Sequence, residues 1–340
     1  MDREAFVRQA AELVPVLRER APQAEALRCV PQETIDDLGR ADLLRVPVPE
    51  RFGGCGLDVD LIPSVAAELG RGCGSTAWCY GIWTAGNWAV GMYPMQAQEE
   101  YWATGANTLC ANSLNPAGAT SVTAVAGGYR LSGQWDFASG CDAATWVLVM
   151  GAGPAGVLMF LVPRSDFAIH DTWFVSGLRG TGSKDIVIHD AFVPAHRVLP
   201  ATDMQEARTP GRVIHDTANY RIPSFSASGY ALAAPLVGMA QGAVETFQAS
   251  MQHQASGPPG WADGSAHRRP GAVSGGHHGG GGRASDHAAR YARDPGTGTA
   301  RRDAHAGRTP AHPAQPGVCG HAVRAGSEPP VRREWGARSV

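Results

Sequence analysis

A chain of 340 residues has room for two domains, or for one large core with a subsidiary one. Its formal charge of -2 supplies no global field for nucleic acid or an anionic membrane, and no apolar run reaches the roughly 20 residues of a membrane span. Seven cysteines without a CxxC pair argue against a disulfide framework; with no secretory signal in MDREAFVRQ, they point to reduced thiols in a cytoplasm.

Residues 1–107 read as a helical domain. Phe6, Ala10, Leu13, Val14 and Leu17 recur at helical spacing between Ala5 and Arg20, and Pro22 fits the first turn of a second helix. Pro31 precedes a helix from Glu33 to Leu44, and PVPERFGGCGLD (Pro47–Asp58) is a connector that no regular element tolerates. Val59–Arg71 and Ser75–Tyr93 are helical again. The second is apolar on nearly every side, the mark of a buried helix, and it carries Trp78, Tyr80, Trp83 and Trp88. Pro94 opens a short helix to Trp102.

From Thr108 the period drops from about 3.6 to 2. The runs Leu109–Leu114, Ser121–Ala126, Tyr129–Phe137, Thr145–Met150, Gly156–Val162, Phe167–Val175 and Ile186–Phe192 predict an all-β domain over residues 108–200, sandwich or barrel. Residues 201–254 supply a polar linker as far as Pro223, then a helix from Tyr230 to Gln252 with Leu232, Leu236, Met239, Ala243 and Phe247 along one face. The class is α+β.

Residues 255–340 contain no Leu, Ile, Met, Phe or Lys, too little apolar area to offset the entropy of ordering, so a disordered tail is expected. It is a natural tail, a metal or RNA contact through His277-His278 and its arginine pairs, or GC-rich DNA translated out of frame. The amphipathic helix that stops in mid-pattern favours the last. The histidines have no ligand-like spacing beyond one adjacent pair and nothing resembles an RNA-binding module, so neither metal nor nucleic acid is expected.

Gly127 to Trp146 (GGYRLSGQWDFASGCDAATW) matters most. Gly127-Gly128 is a hairpin signal, and Tyr129, Leu131, Gly133 and Trp135 alternate with polar residues as a half-buried strand does. The strand ends in Phe137-Ala138-Ser139-Gly140, a ring and a hydroxyl two residues apart and hence on one face. A flat ligand could stack on the ring while the hydroxyl meets a polar atom at its edge; a core ring beside a turn serine is the competing account.

Four segments carry a resemblance. Ser75–Trp78 (STAW), Gly127–Gly140, Ser176–Arg197 (SGLRGTGSKDIVIHDAFVPAHR) and the order helices, strands, helices are similar to the acyl-CoA dehydrogenase fold. More narrowly, they resemble its flavin-dependent monooxygenases, the oxygenase components of two-component systems such as 4-hydroxyphenylacetate 3-hydroxylase, a steroid-ring phenol hydroxylase and polyketide quinone hydroxylases. The likeness extends over roughly 14–252. It implies an N-terminal helical domain, a central β domain and the start of a C-terminal helical bundle.

It also implies roles. Cys110–Ser113 and the loop to Gly118 would run along the flavin, with Asn112, Ser113, Phe137, Ala138 and Ser139 as its contacts. Ser139 would meet flavin N5 and protect a C4a-hydroperoxide; Ser113 would touch the flavin edge or the substrate. Leu114-Asn115-Pro116 departs from the Thr-Glu-Pro type sequence of the dehydrogenases, as oxygenase members do. Trp78, Trp83 and Trp88 would wall an aromatic pocket, unless they are simply core residues of a buried helix. Related hydroxylases tend to place a phenol-assisting histidine near Asn87-Trp88; Asn87 can hold a hydroxyl but cannot take its proton.

The implied activity is hydroxylation of a phenolic or polyketide ring by reduced FMN or FAD and dioxygen. A separate reductase would supply the flavin, which accounts for the absence of a GxGxxG fingerprint in a strand–helix context. The family's bundle builds a homotetramer and supplies a further catalytic histidine; only its first helix is legible here. The alternatives are an acyl-CoA dehydrogenase-type oxidoreductase and a truncated, inactive remnant.

Overall fold

In the computed structural model, which describes residues 3–255 apart from 117, 119 and 155, helix α1 (Arg3–Leu27) continues through both Pro15 and Pro22. Each proline removes one backbone donor. The buried face of Phe6, Ala10, Val14, Leu17 and Ala24 nevertheless spans both positions, so one long helix forms where a break at Pro22 was expected. Helix α2 (Gln32–Arg40) stops short of Leu44 because Asp42 turns left-handed, with φ 56°, and Leu43–Arg45 wind on as a 3-10 turn. Helices α3 (Leu61–Gly70), α4 (Gly74–Val90) and α5 (Met95–Tyr101) follow close to their predicted places.

The strands form two four-stranded sheets. One has β1 (Cys110–Ser113), β4 (Trp146–Gly153), β5 (Gly156–Pro163) and β8 (Val198–Pro200) in that order, with β1 and β4 parallel. The other orders β2 (Ser121–Val125), β3 (Gly128–Ala138), β7 (Lys184–Pro194) and β6 (Ala168–His170), antiparallel throughout. The sheets meet through Tyr129, whose ring stands edge-on to Phe160 at 5.8 Å, and through Trp135, whose Nε1 donates to Met150 O at 2.7 Å. Leu131, Ile186, Val147 and Phe160 are buried with them. Strand β8 was not anticipated; its three residues are too few for a period. The expected run to Val175 ends at His170, and the chain beyond becomes a loop that matters for the site.

Two short helices, α6 (Ala201–Gln205) and α7 (Gly211–Ile214), occupy the stretch expected to be irregular, and α8 (Ser224–Ala255) begins six residues before Tyr230. Helix α8 lies backbone-close on α3: a Cβ at Gly238 would fall 2.0 Å from Ala67 O, and one at Gly70 would fall 2.7 Å from Pro235 O. Only glycine permits that approach. Leu236, Val237, Val244 and Phe247 stay exposed on α8. The tail from residue 256, expected to be disordered, lies outside the described residues.

His215 ties α7 to α5. It is buried, its Nε2 is 2.8 Å from Gln98 Oε1, and its ring lies 4.7 Å from Tyr220. Burial, with the charge of Arg51 adding to it, pushes its pKa down from 6.5 to about 4. Because the unfolded chain binds this proton first, stability should fall as pH drops from 6.5 towards 4, on the order of 2 kcal/mol from this residue. His215→Asn should remove that share of the slope in denaturant titrations at pH 7 and 4.5; an unchanged slope would refute the assignment.

Candidate active site

Two cavities meet along α4. Trp78, Gly81, Ile82, Ala85, Trp88 and Ala89 recur at helical spacing, so a single face of the helix runs past both. The first cavity, about 390 Å³, is lined by Trp78 and Ile82, by Asn112–Asn115 at the end of β1, by Asp136, Phe137 and Ser139, and by Trp173, Leu178, Thr181 and Ser183. The second, about 120 Å³, is walled by Trp88, Leu148, Met159, Met204 and the first turns of α8. Ile82, Asn112, Leu114 and Leu232 line both. A larger open cleft beside α2 contains none of the anticipated residues. Its charges are engaged within the protein, Arg45 with Asp42 at 3.0 Å and Arg40 with Asp37 at 2.5 Å.

The strand does not end as its alternation suggested. The β3–β7 register shifts between Trp135 and Ala138, and Phe137 takes φ 62°, a left-handed conformation rare for an aromatic residue. Ser139 N then closes on Phe137 O at 2.9 Å. Phe137 and Ser139 reach one cavity because a bulge and a tight turn aim them there, not because a regular strand puts them on one face. Phe137 is 56% exposed, an uncommon cost for a large apolar residue unless something covers it. Ala138 between them points into the core opposite Lys184.

The turn is pinned from several directions. Gly140 N donates to Thr181 O at 2.8 Å, and Trp83 Nε1 donates to Gly140 O at 3.1 Å. Lys184, the only lysine of the chain, holds Asp142 at 2.7 Å, both side chains nearly buried. Burial alone would lower the Lys184 pKa, but the hydrogen bond and charge of Asp142 outweigh it and raise it; burial pushes the Asp142 carboxyl up. Ser139 Oγ accepts from Trp78 Nε1 at 3.0 Å and lies 2.7 Å from Ser183 Oγ. Ser113 Oγ donates to Asp136 O, fastening β1 to the end of β3. Burial, with Asp185 nearby, raises the Asp136 pKa.

Across the first cavity stands the loop after β6. Arg28 grips Asp171 with both terminal nitrogens at 2.7 and 2.5 Å, donates to Trp173 O at 3.2 Å and lies 4.3 Å over the ring of Phe174. Trp173 is thereby fixed edge-on to Phe137 at 6.1 Å, giving the cavity an aromatic wall.

Residues 2–108 match the model of the acyl-CoA dehydrogenase N-terminal domain. The chain is 38% identical over 247 residues to the oxygenase subunit HsaA, a flavin-dependent monooxygenase of Rhodococcus jostii, covering 71% of this chain and 63% of the relative. It is 36% identical to the oxygenase component of an FADH(2)-dependent resorcinol hydroxylase of a Rhizobium species, covering 71% of this chain and 60% of the relative. The crystal structure of the HsaA monooxygenase from M. tuberculosis superposes with a TM-score of 0.70 at 33% identity, over 76% of this chain and 70% of that one. The chain belongs to the flavin-dependent monooxygenases of acyl-CoA dehydrogenase fold. It spans less than two thirds of the length of these curated relatives, 63% of the Rhodococcus HsaA and 60% of the resorcinol hydroxylase component.

Within this monooxygenase fold the anticipated residues separate. Asn112, Ser113, Phe137, Ser139 and Trp78 come together at the first cavity, and Trp88 joins Asn112 at the second. Trp83 does not: it is fully buried and lines neither. Asn87 is also fully buried. It donates to Leu44 O at 3.2 Å and accepts from Tyr101 OH at 2.5 Å, so its amide is consumed in holding α4 to its neighbours. Sequence reasoning missed Thr181 and Ser183, although both lie within the Ser176–Arg197 motif, and it also missed Trp173, Asp136 and Ser224. The signal available for the second cavity was the row Gly81, Ala85, Ala89, small residues on one face of an otherwise bulky helix. Among the described residues no cluster of His, Cys, Asp or Glu could hold a metal ion, and no helix is long and apolar enough to cross a membrane.

Proposed function

We propose that this chain is the oxygenase component of a two-component monooxygenase, in which reduced FMN or FAD from a separate reductase and dioxygen hydroxylate a small phenolic or polyketide ring. The observation that carries the reading is the pair of adjoining chambers. One has aromatic walls and polar edges, and the other is a nearly apolar pocket sharing its Ile82, Asn112, Leu114 and Leu232 wall.

The first chamber suits an isoalloxazine. Its volume lies within the range of about 300–1,000 Å³ usual for cofactor sites, and the exposed Phe137 ring lacks a partner on its open side that a flat heterocycle would supply. Phe137 and Trp173 would hold the ring system, with Ser139 at N5 and Asn112 and Ser113 along its edge. Bound there, reduced flavin supplies the activation of oxygen. The protein's part is to place the substrate and keep water out. Ile82, Ala85, Leu148 and Met159 leave room for one small ring and offer water almost no polar partner.

Ser224 adds a preference. Its Oγ is buried and has no hydrogen-bond partner among the described residues, yet it belongs to the lining of the second chamber. A ring hydroxyl would satisfy it. Ser224→Ala should weaken binding of a small phenol about fivefold while leaving the deoxygenated ring unaffected; equal effects on both would refute that contact. The exposed apolar stripe on α8 supports association of several copies, and free cysteines such as Cys79 and Cys110 suit a cytoplasmic setting.

The test is anaerobic titration with reduced FMN and reduced FAD, followed by ¹⁸O₂ with resorcinol and larger phenols. Micromolar binding and one ¹⁸O atom in the product are expected. Acyl-CoA-dependent dye reduction in place of hydroxylation would make the chain a dehydrogenase. No flavin binding at any concentration would make it an inactive scaffold.

A further inference from the structure

A chain of three hydroxyls ends at the first cavity. Ser139 Oγ lies 2.7 Å from Ser183 Oγ, Ser183 Oγ lies 2.7 Å from Thr181 Oγ1, and Thr181 Oγ1 donates to Leu178 O at 2.9 Å. Each hydroxyl has one proton to give and two lone pairs to offer, whereas a carbonyl oxygen can only accept. Leu178 O also receives Trp173 Nε1 at 3.1 Å and Thr181 N at 3.2 Å, but its 2.9 Å contact with Thr181 Oγ1 is the shortest of the three, and on that ground Thr181 commits its proton to Leu178. Ser183, facing an oxygen with no proton left, must give its own to Thr181, and Ser139 must give its own to Ser183. The order of the whole chain follows from the carbonyl at its end.

The other side of Ser139 is constrained as well. The indole of Trp78 can only donate, and its Nε1, 3.0 Å away, occupies one of the two lone pairs of Ser139 Oγ. One lone pair remains, and no proton. Ser139, Thr181 and Ser183 are 4, 2 and 4% exposed, so water has little access with which to reverse the order. The three hydroxyls lie on two segments, the turn after β3 and the lead into β7, which the Gly140 N to Thr181 O bond and the Lys184–Asp142 pair hold in register.

We infer that Thr181 and Ser183 are positioning residues: they fix the direction of this chain so that Ser139 presents only an acceptor to the cavity, which selects a flavin carrying hydrogen on N5 over one whose N5 is bare. The inference rests on the placing of flavin N5 at Ser139 proposed above. Reduced flavin has an N5–H to donate. Oxidised flavin offers N5 only as a lone pair, which would face the lone pair of Ser139. Discrimination between the two redox forms is thus assigned to residues that need not touch N5, through the orientation of one proton.

Cutting the chain should release that proton. In Thr181→Val, Ser183 loses its acceptor and can turn towards Ser139, which is then able to donate to oxidised flavin. The experiment measures dissociation constants of oxidised and reduced FMN and FAD, anaerobically, for the full chain and its variants. Thr181→Val should reduce the preference for reduced flavin about tenfold, mainly by tightening oxidised flavin, which corresponds to a shift of about 30 mV in the bound two-electron potential. Thr181→Ser, which restores the hydroxyl, should restore the preference. Ser183→Ala removes the middle link and should act in the same direction, which covers the case in which the valine variant does not fold. Parallel weakening of both redox forms, or an unchanged ratio in Thr181→Val and Ser183→Ala, overturns the inference while leaving the proposed function standing. Failure of the unaltered chain to bind either form overturns both.

Discussion

Lys184→Met should destabilise the protein by about 3–5 kcal/mol, the cost of stranding a buried charge. Asp142 is the charge left behind. It is nearly enclosed, burial already raises its pKa, and its Oδ2 has no hydrogen-bond partner among the described residues. A raised carboxyl pKa penalises the folded state above the ordinary carboxylate range and relieves it below, so the sign of the pH dependence is fixed. The deficit of the variant should be largest near neutrality and shrink as pH falls towards 4. Pairing Lys184→Met with Asp142→Leu, which removes both charges, should recover most of the loss. Urea midpoints for the two variants at pH 7 and pH 5 decide the matter; a single variant within 1 kcal/mol of the parent would show that water reaches Asp142.

Gly140→Ala is the second large expected effect. Gly140 has φ 70°, a left-handed conformation that costs a residue with a Cβ roughly 1–2 kcal/mol. Its Cβ would also stand 2.4 Å from Trp83 Nε1 and 2.7 Å from Trp83 Cε2, atoms of a rigid, fully buried indole that cannot fold away. Overpacking of that kind adds about 1–3 kcal/mol. A combined loss of about 2–5 kcal/mol is expected, together with loss of flavin binding, because the same turn positions Phe137 and Ser139, the proposed flavin contacts. Near-ultraviolet circular dichroism should register the displaced Trp83. Parent-like stability and an unperturbed tryptophan signal would mean that the turn is far softer than its hydrogen bonds indicate.

These two sites show which parts of the molecule were legible in the sequence. The helices announced themselves by spacing, and β3 by strict alternation, since both are local properties of the chain. The unbroken passage of α1 through Pro22 was not legible, because packing of Phe6, Val14 and Leu17 decided it and no local rule records packing. Phe137 and Ser139 do line one cavity, but the geometric reason for pairing them was wrong. A positive φ and a register shift depend on what β7 does opposite β3, some 50 residues away. Asn87 and Trp83 looked like site residues because a helix apolar all round hides which face is occupied. Only the structure shows that Trp78, Ile82 and Ala85 border open space while Trp83 and Asn87 are enclosed. Thr181 and Ser183 were in plain view within GLRGTGSKD, but a hydroxyl chain is defined by the carbonyl that ends it, and Leu178 O cannot be picked out from letters.

Burial of the thiols bears on durability. Reduced flavin meeting oxygen without a substrate to capture it yields hydrogen peroxide, which attacks thiolates rather than thiols. Cys79 and Cys110 have pKa values driven far above normal by burial, and Cys141, immediately beyond the turn that bears Ser139, is pushed up to about 12. At neutral pH all three remain almost wholly protonated and sealed from solvent. With reduced flavin at Ser139 as proposed, sulfur would stand within a few residues of the source of oxidant and still resist self-inflicted damage over many futile turnovers.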